Sequence, residues 1–161
     1  MRCVTTIGQD SHRFISSGDK TLVLGGYTIP GELGLDGNSD ADVVLHALTN
    51  AISGLTGTPI LGAAADRLCA AGTTDSKAYL ELALTDLATQ NRWQLTFISC
   101  SIQAKKPKLL HHLPAIRQSI ANLVNLPLTD VTITCTTGEG LTGMGRGEGM
   151  ECICLLSARE K

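Results

Sequence analysis

The order in which strand-like and helix-like segments follow one another constrains this chain most. Short runs rich in Val, Ile and Thr lie near Cys3 to Ile7, Leu22 to Leu24, Leu95 to Ala104, Val131 to Thr137 and Met150 to Leu156, and they read as strands. Three stretches carry helical spacing instead. The first begins at a capping residue, Ser39 or Asp40, and runs through Val43, Leu45, His46, Leu48 and Ile52 towards Gly54. The second starts at Asp75-Ser76, carries Tyr79, Leu80, Ala83, Leu84 and Leu87, and fades by Asn91. The third spans Leu113 to Asn125, with Ile116, Ile120, Leu123 and Val124 on one stripe and Pro127 beyond its end. This order does not alternate regularly enough for a doubly wound parallel sheet. It predicts an α+β fold: a ferredoxin-like mixed sheet with helices on one face.

At 161 residues the expected organisation is one domain, 1–161. Only five aromatic residues are present (one Trp, two Tyr, two Phe), so the core must be built from Ala, Leu, Ile and Val, with burial completed between subunits. A net charge of -2 without a basic stripe argues against nucleic acid and leaves small molecules or copies of the chain itself as partners. No apolar run approaches the roughly 18 residues that span a bilayer, and the start Met-Arg-Cys-Val-Thr-Thr lacks a secretory core, so a cytoplasmic location is expected. The six cysteines include no Cys-x-x-Cys pair and read as reduced, mostly buried thiols. Cys152 and Cys154, in an apolar stretch, are expected to fill the core rather than bind metal.

Asp10 and His12 are two apart, so an extended backbone sends both side chains to one face. His46 is the candidate third ligand. One carboxylate and two imidazoles suit a divalent ion such as Zn²⁺ or another transition metal, and three protein ligands leave a position for substrate. A chance Asp-x-His pair and a merely hydrogen-bonded helical histidine are the alternative. Asp42, four residues before His46, is open to three roles: ligand, orienter or solvated charge.

Two further segments have the composition of anion sites. Ala104-Lys-Lys-Pro-Lys108-Leu-Leu110 lies between a strand and a helix, where its lysines either meet an anion or stay as solvated surface charge. Thr136 to Gly149 carries six glycines, two adjacent threonines, Glu139 and Arg146. Glycine lets amides crowd a diphosphate, Arg146 can fork onto it, and Glu139 can hold a Mg²⁺ bridging phosphate oxygens. No Gly-Lys-Ser/Thr closes the segment, so it is not a Walker loop. Gly143, Gly145, Gly147 and Gly149 alternate, which is extended spacing, and a glycine-rich turn without ligand is the competing reading.

Taken together, Gly8 to His12, Leu24-Gly-Gly with Ile29-Pro30, Ser39 to Thr49, Asp75-Ser76, Ala104 to Leu110 and Gly143 to Gly149 resemble the 2-C-methyl-D-erythritol 2,4-cyclodiphosphate synthase family of the non-mevalonate isoprenoid pathway. The resemblance implies a homotrimer with active sites between subunits, Zn²⁺ on Asp10, His12 and His46, and a second ion, Mg²⁺ or Mn²⁺, on Glu139. It implies conversion of 4-diphosphocytidyl-2-C-methyl-D-erythritol 2-phosphate to the cyclic diphosphate with loss of CMP, a phosphorus-oxygen lyase reaction. Thr137 and Asn38 then fall at catalytic positions. The loop of Ala104, Lys105, Lys106, Pro107, Lys108, Leu109 and Leu110 would hold the cytidine side through its backbone, with Lys108 and Arg146 on phosphates and Thr136, Thr137 and Gly138 alongside. Asp10, His12, Ser39, Ile60, Leu61, Gly62 and Asp66 would meet the rest of the substrate.

Three departures from the family pattern stand out. Asn38 replaces a histidine before Ser-Asp, and an amide donates a hydrogen bond but carries no proton. Pro59-Ile60-Leu61-Gly62 stands where Gly-Asp-Ile-Gly is usual, with the segment around Asp66 shortened. Thr136-Thr-Gly-Glu-Gly140 replaces Thr-Thr-Thr-Glu-Lys and loses a cation. Together they resemble a divergent, chlamydia-like branch. They also motivate a rival reading, a catalytically weakened relative that binds CDP-like or isoprenoid diphosphates. A metallophosphoesterase using zinc-activated water fits less well, since no general base stands beside the proposed ligands.

Overall fold

The computed structural model describes residues 1–161 and is an α+β structure with one mixed four-stranded sheet. Its strands are β1 (Cys3–Arg13), β4 (Trp93–Gln103), β5 (Val131–Thr136) and β6 (Gly149–Glu160), in the order β1-β6-β4-β5. Only the β4–β5 pair is parallel; β6 runs antiparallel to both of its neighbours. β2 (Thr21–Leu24) and β3 (Tyr27–Leu33) form a separate hairpin. The helices are α1 (Val43–Thr56), α2 (Ala63–Ala70), α3 (Ser76–Gln90), α4 (Leu113–Val124) and a four-residue turn of helix, α5 (Gly143–Arg146).

Alternation decides which face of the sheet is covered. Along β6, Met150, Cys152, Cys154, Leu156 and Ala158 are buried, while Ile153, Leu155 and Arg159 are exposed. The buried set joins α1, α3 and α4 residues in one apolar cluster that also takes in Cys100 of β4. Cys152 and Cys154 are therefore core fillers, and all six cysteines are free thiols. Cys3 and Cys135 are exposed, which departs from the mostly buried set that composition suggests.

α1 lies against β1 because β1 offers it no side chain at the point of crossing. A Cβ on Gly8 would sit 1.9 Å from the Ala47 carbonyl oxygen and 2.4 Å from the Ala51 amide nitrogen. Glycine facing two alanines lets the backbones close to van der Waals contact, and this carries His46 to the level of Asp10.

Several expected details are corrected. α1 begins two or three residues later than Asp40 or Ser39 would set it: its cap is Asp42, whose carboxylate accepts from the Val44 and Leu45 amides. The helix runs through Gly54 and stops at Gly57, which takes the left-handed conformation. Asp42 is none of ligand, orienter or solvated charge. It is fully buried and also accepts from the Gly25 and Gly26 amides at 2.9 and 2.7 Å, locking the β2–β3 turn onto the start of α1. That turn needs positive φ at both of its glycines (62° and 77°), the two-residue hairpin geometry. β3 and α2 are additional to the expected elements. The alternating glycines at 143, 145 and 147 are not extended; Gly143–Arg146 closes a helical turn capped by Thr142, and β6 begins only at Gly149. α3, with Asp75 as cap and Asn91 as left-handed stop, matches its expected bounds, as does α4 within one residue.

Candidate metal centre and active site

β1 does not end at Ile7 but continues to Arg13, so Asp10 and His12 project from one strand towards α1, where His46 waits one turn into the helix. The ligand atoms of Asp10, His12 and His46 lie within 4.8 Å of one another. Asp10 Oδ2 is the hub, 3.0 Å from His12 Nε2 and 3.0 Å from His46 Nδ1. His12 Nδ1 is 2.6 Å from the Asp36 carbonyl oxygen. A carbonyl only accepts, so Nδ1 carries a proton, and Nε2 is the nitrogen left to face Asp10 and the cluster. His46 turns its Nε2 to Ser76 Oγ at 2.9 Å.

Electrostatics follow from this geometry. Burial alone raises the Asp10 carboxyl, but hydrogen bonds and charge from His12 and His46 outweigh it and bring the group down to about 2. The hydrogen bond to Asp10 raises His12 above its ordinary value against the opposing effect of burial. One carboxylate oxygen and two ring nitrogens thus converge where a cation is favoured, and a divalent ion would displace the protons that otherwise screen them. The donor set fits a transition metal with N and O preference, Zn²⁺ among them.

A cavity of about 210 Å³ opens beside the cluster. Asp10, His12, Asn38, Ser39, His46, Leu61, Gly62 and Asp66 line it, so most of the residues expected on the metal side do meet there. Ile60 does not: it is buried in the core, and its neighbours Leu61 and Gly62 face the cavity instead. Ala65, Cys69 and Tyr79 also line it, unanticipated from sequence. The Cys69 thiol donates to the Asn38 carbonyl oxygen at 2.9 Å. Nothing in the spacing of α2, an unforeseen helix, marked Cys69 out, whereas Tyr79 lay on the apolar stripe of α3.

The second group of expected residues lines a separate cavity of about 110 Å³: Ala104, Lys105, Pro107, Lys108, Leu109 and Leu110 with Cys135, Thr136 and Thr137. Lys106 points away, its ammonium 5.5 Å above the Phe14 ring. Thr137 Oγ donates to Glu139 Oε1 at 3.1 Å, and Glu139 itself is exposed with a left-handed φ of 51° beside Gly138. Arg146 Nε donates to Glu148 Oε1 at 2.8 Å, so its guanidinium is already paired. The two cavities share no lining residue. Ser11, Glu151, Gln103 and Thr136 are successive register partners across the sheet, which puts both cavities at one end of it, three strands or about 14 Å apart.

Comparison with known proteins agrees with this geometry. The YgbB family model matches residues 3–159. A relative from Chlamydia trachomatis, named 2-C-methyl-D-erythritol 2,4-cyclodiphosphate synthase, is 45% identical over 156 residues, covering 96% of this chain and 86% of the relative. Among solved structures, the bifunctional IspDF of Campylobacter jejuni superposes with a TM-score of 0.84 at 28% identity, over 99% of this chain and 43% of that one. A CDP-bound form of 2C-methyl-D-erythritol-2,4-cyclodiphosphate synthase superposes with a TM-score of 0.81 at 25% identity, over 97% of this chain and 100% of the other. A family match over residues 3–159 takes in β1 with its Asp10 and His12, the helix that brings His46 to them, and the loops of the second cavity, and this chain belongs to the YgbB family.

Proposed function

We propose that the whole chain, 1–161, acts as one catalytic unit that cyclises 4-diphosphocytidyl-2-C-methyl-D-erythritol 2-phosphate to 2-C-methyl-D-erythritol 2,4-cyclodiphosphate and releases CMP. The convergence of Asp10 Oδ2, His12 Nε2 and His46 Nδ1 beside an open cavity carries this reading. The relatives named for this reaction support it. An oxygen of the 2-phosphate attacks the β-phosphorus, a new P–O bond forms, and the bond from β-phosphorus to the bridging oxygen breaks with CMP as leaving group. Nucleophile and leaving group both belong to the substrate. The protein's part is orientation and stabilisation of charge.

Asp10, His12 and His46 would hold Zn²⁺ or a similar ion and Glu139 a Mg²⁺ or Mn²⁺, supplying positive charge to the phosphate oxygens. Asn38 is placed to donate a neutral amide hydrogen bond, and Ser39 a hydroxyl, across the cavity from Leu61, Gly62 and Asp66, which meet the methylerythritol. Backbone groups of Ala104 to Leu110 read the cytosine, Lys108 takes a phosphate, and the Thr137 hydroxyl supports the transferring phosphoryl group. Arg146 reaches a phosphate only by exchanging its bond to Glu148. CDP in the solved relative fits the same assignment.

Because the two cavities lie apart within one chain, a complete site forms where a neighbouring copy brings its cytidine-side loops over the metal cavity. A homotrimer closes such a head-to-tail arrangement. The open face of the sheet supports this, since Ile7 (62%), Leu155 (46%) and Phe97 (38%) are exposed there without a covering helix. No helix is long and apolar enough to cross a membrane, and the expected surroundings are cytoplasmic. ³¹P NMR of the metal-loaded protein with the CDP-linked substrate tests the assignment. Cyclic diphosphate and CMP are expected to rise in equal amounts, and absence of both from a folded, metal-loaded sample would overturn it.

A further inference from the structure

Behind His46 lies a second layer of polar groups that the proposed reaction does not use. Asp40 precedes α1, and its backbone N–H donates to the Thr74 carbonyl at 2.8 Å, tying that loop to the segment before α3. Its carboxylate accepts two bonds from one residue of α3: the Ser76 amide to Oδ2 at 3.1 Å and the Ser76 hydroxyl to Oδ1. Ser76 is fully buried, and its Oγ also lies 2.9 Å from His46 Nε2.

A serine hydroxyl has one proton, and here it is committed to a carboxylate that has none to give. Only lone pairs remain on Ser76 Oγ for His46, so the proton of that contact must sit on His46 Nε2. Nδ1 is then the nitrogen turned to Asp10 Oδ2, 3.0 Å away, and its proton in that contact is the one a metal ion would displace, leaving the Nδ1 lone pair for the metal. His12 is held in the opposite sense, its Nδ1–H given to the Asp36 carbonyl. Both rings are thus fixed by acceptors behind them, one by a main-chain carbonyl and one by a carboxylate acting through a hydroxyl.

We infer that Asp40 and Ser76 are positioning residues for the metal centre: Asp40, through the Ser76 hydroxyl, sets the tautomer and orientation of His46 and strengthens its Nδ1 as a ligand. This rests on the assignment of Asp10, His12 and His46 as metal ligands. Ser39 Oγ also lies near Nε2, but at 3.5 Å and while accepting from the Ala41 amide it is a poor substitute.

The test is zinc affinity, measured by competition with a chromophoric chelator on full-length protein, with turnover read separately. Ser76→Ala should weaken zinc binding about 10- to 100-fold, the range seen when an outer partner of a ligating histidine is removed. Asp40→Asn should weaken it in the same direction. In the double variant the Asp40 change should add almost nothing to the loss of zinc affinity, because its path to His46 is already cut, whereas losses that add would show Asp40 acting on the site by another route and overturn the relay through Ser76. ¹⁵N NMR of the zinc-loaded wild-type histidines keeps the inference testable if the variants fold poorly: His46 is expected to carry its proton on Nε2 with Nδ1 on the metal, and the reverse arrangement overturns the idea. Wild-type protein that binds no zinc defeats the ligand assignment itself. Tight zinc binding by wild type and unchanged affinity in Ser76→Ala defeats only the role given to Asp40 and Ser76.

Discussion

Asp42 shows how far a single side chain reaches in this molecule. Four backbone amides, from Gly25, Gly26, Val44 and Leu45, point at one buried carboxylate. Burial pushes that carboxyl up to about 6, against the opposing pull of the amides. In the unfolded chain the group titrates at its ordinary value of 3.8. Between those pH values the folded chain holds a proton that the unfolded chain releases, so this group favours folding most at low pH and less as pH rises to 6. Asp42→Asn removes that dependence and, with Oδ1 kept for the other three amides, leaves the Gly26 amide facing an NH₂ group, at about 1–3 kcal/mol. Urea unfolding of both proteins from pH 4 to 7 should show their stability gap narrowing as pH rises; a gap independent of pH would refute the raised carboxyl. Asn38 calls for a different measurement. It lines the metal cavity with its main-chain carbonyl held by Cys69, and Asn38→His should preserve or raise turnover in the CMP-release assay. Loss of activity would mean that the pocket is built around the amide.

Between elements, the contact of α1 with β1 decides whether the proposed metal ligands meet at all. Gly8→Ala places a methyl group within the Ala47 carbonyl, so the helix must move away from the strand and carry His46 with it. A stability loss of about 1–3 kcal/mol is expected, together with loss of zinc retention after dialysis. Retained zinc at wild-type stoichiometry would show that the helix position is not what assembles the site. Thr49, on the same helix, has a buried hydroxyl without a partner. Thr49→Val should raise stability by about 1 kcal/mol, seen as a gain of roughly 2–4 °C in Tm. These contacts also mark what the sequence made legible. Asp10, His12 and His46 could be grouped because a two-residue step on an extended chain and an imidazole on an amphipathic helix are local patterns. α3 and α4 were legible for the same reason, their caps and stops lying within a turn of their apolar stripes. The role of Asp42 was not, because two of its four donors come from a hairpin sixteen or seventeen residues away. β3 was hidden by Pro30 and Gly31 inside the strand, and α5 by glycines whose alternation suits extended chain but whose turn is closed by the Thr142 cap. Ile60 was placed in the site by resemblance alone, and the core claimed it instead.

For the whole molecule, the separation of the two cavities is the feature with the largest consequence. Asp10, His12 and His46 lie at one edge of the sheet and Thr136, Thr137 and Glu139 at the other, so one chain keeps the two groups apart. If catalysis needs one half from each of two neighbours, damage to different halves should be complementary. His46→Ala removes the metal half and leaves the cytidine side intact; Glu139→Gln does the reverse. Each protein alone should form assemblies in which every site is defective. Co-expressed in equal amounts and assembled at random, a site is intact when the chain giving its metal half is Glu139→Gln and the neighbour giving its other half is His46→Ala. About one site in four meets that condition, each choice being even in a closed ring of like subunits. Turnover of the mixture should therefore return to about a quarter of wild type, while the two variants purified apart and mixed without exchange stay inactive. A site contained within one chain forbids any recovery, because every chain in the mixture is damaged in one half or the other. Recovery with a mass corresponding to three chains would establish both the shared site and the trimer.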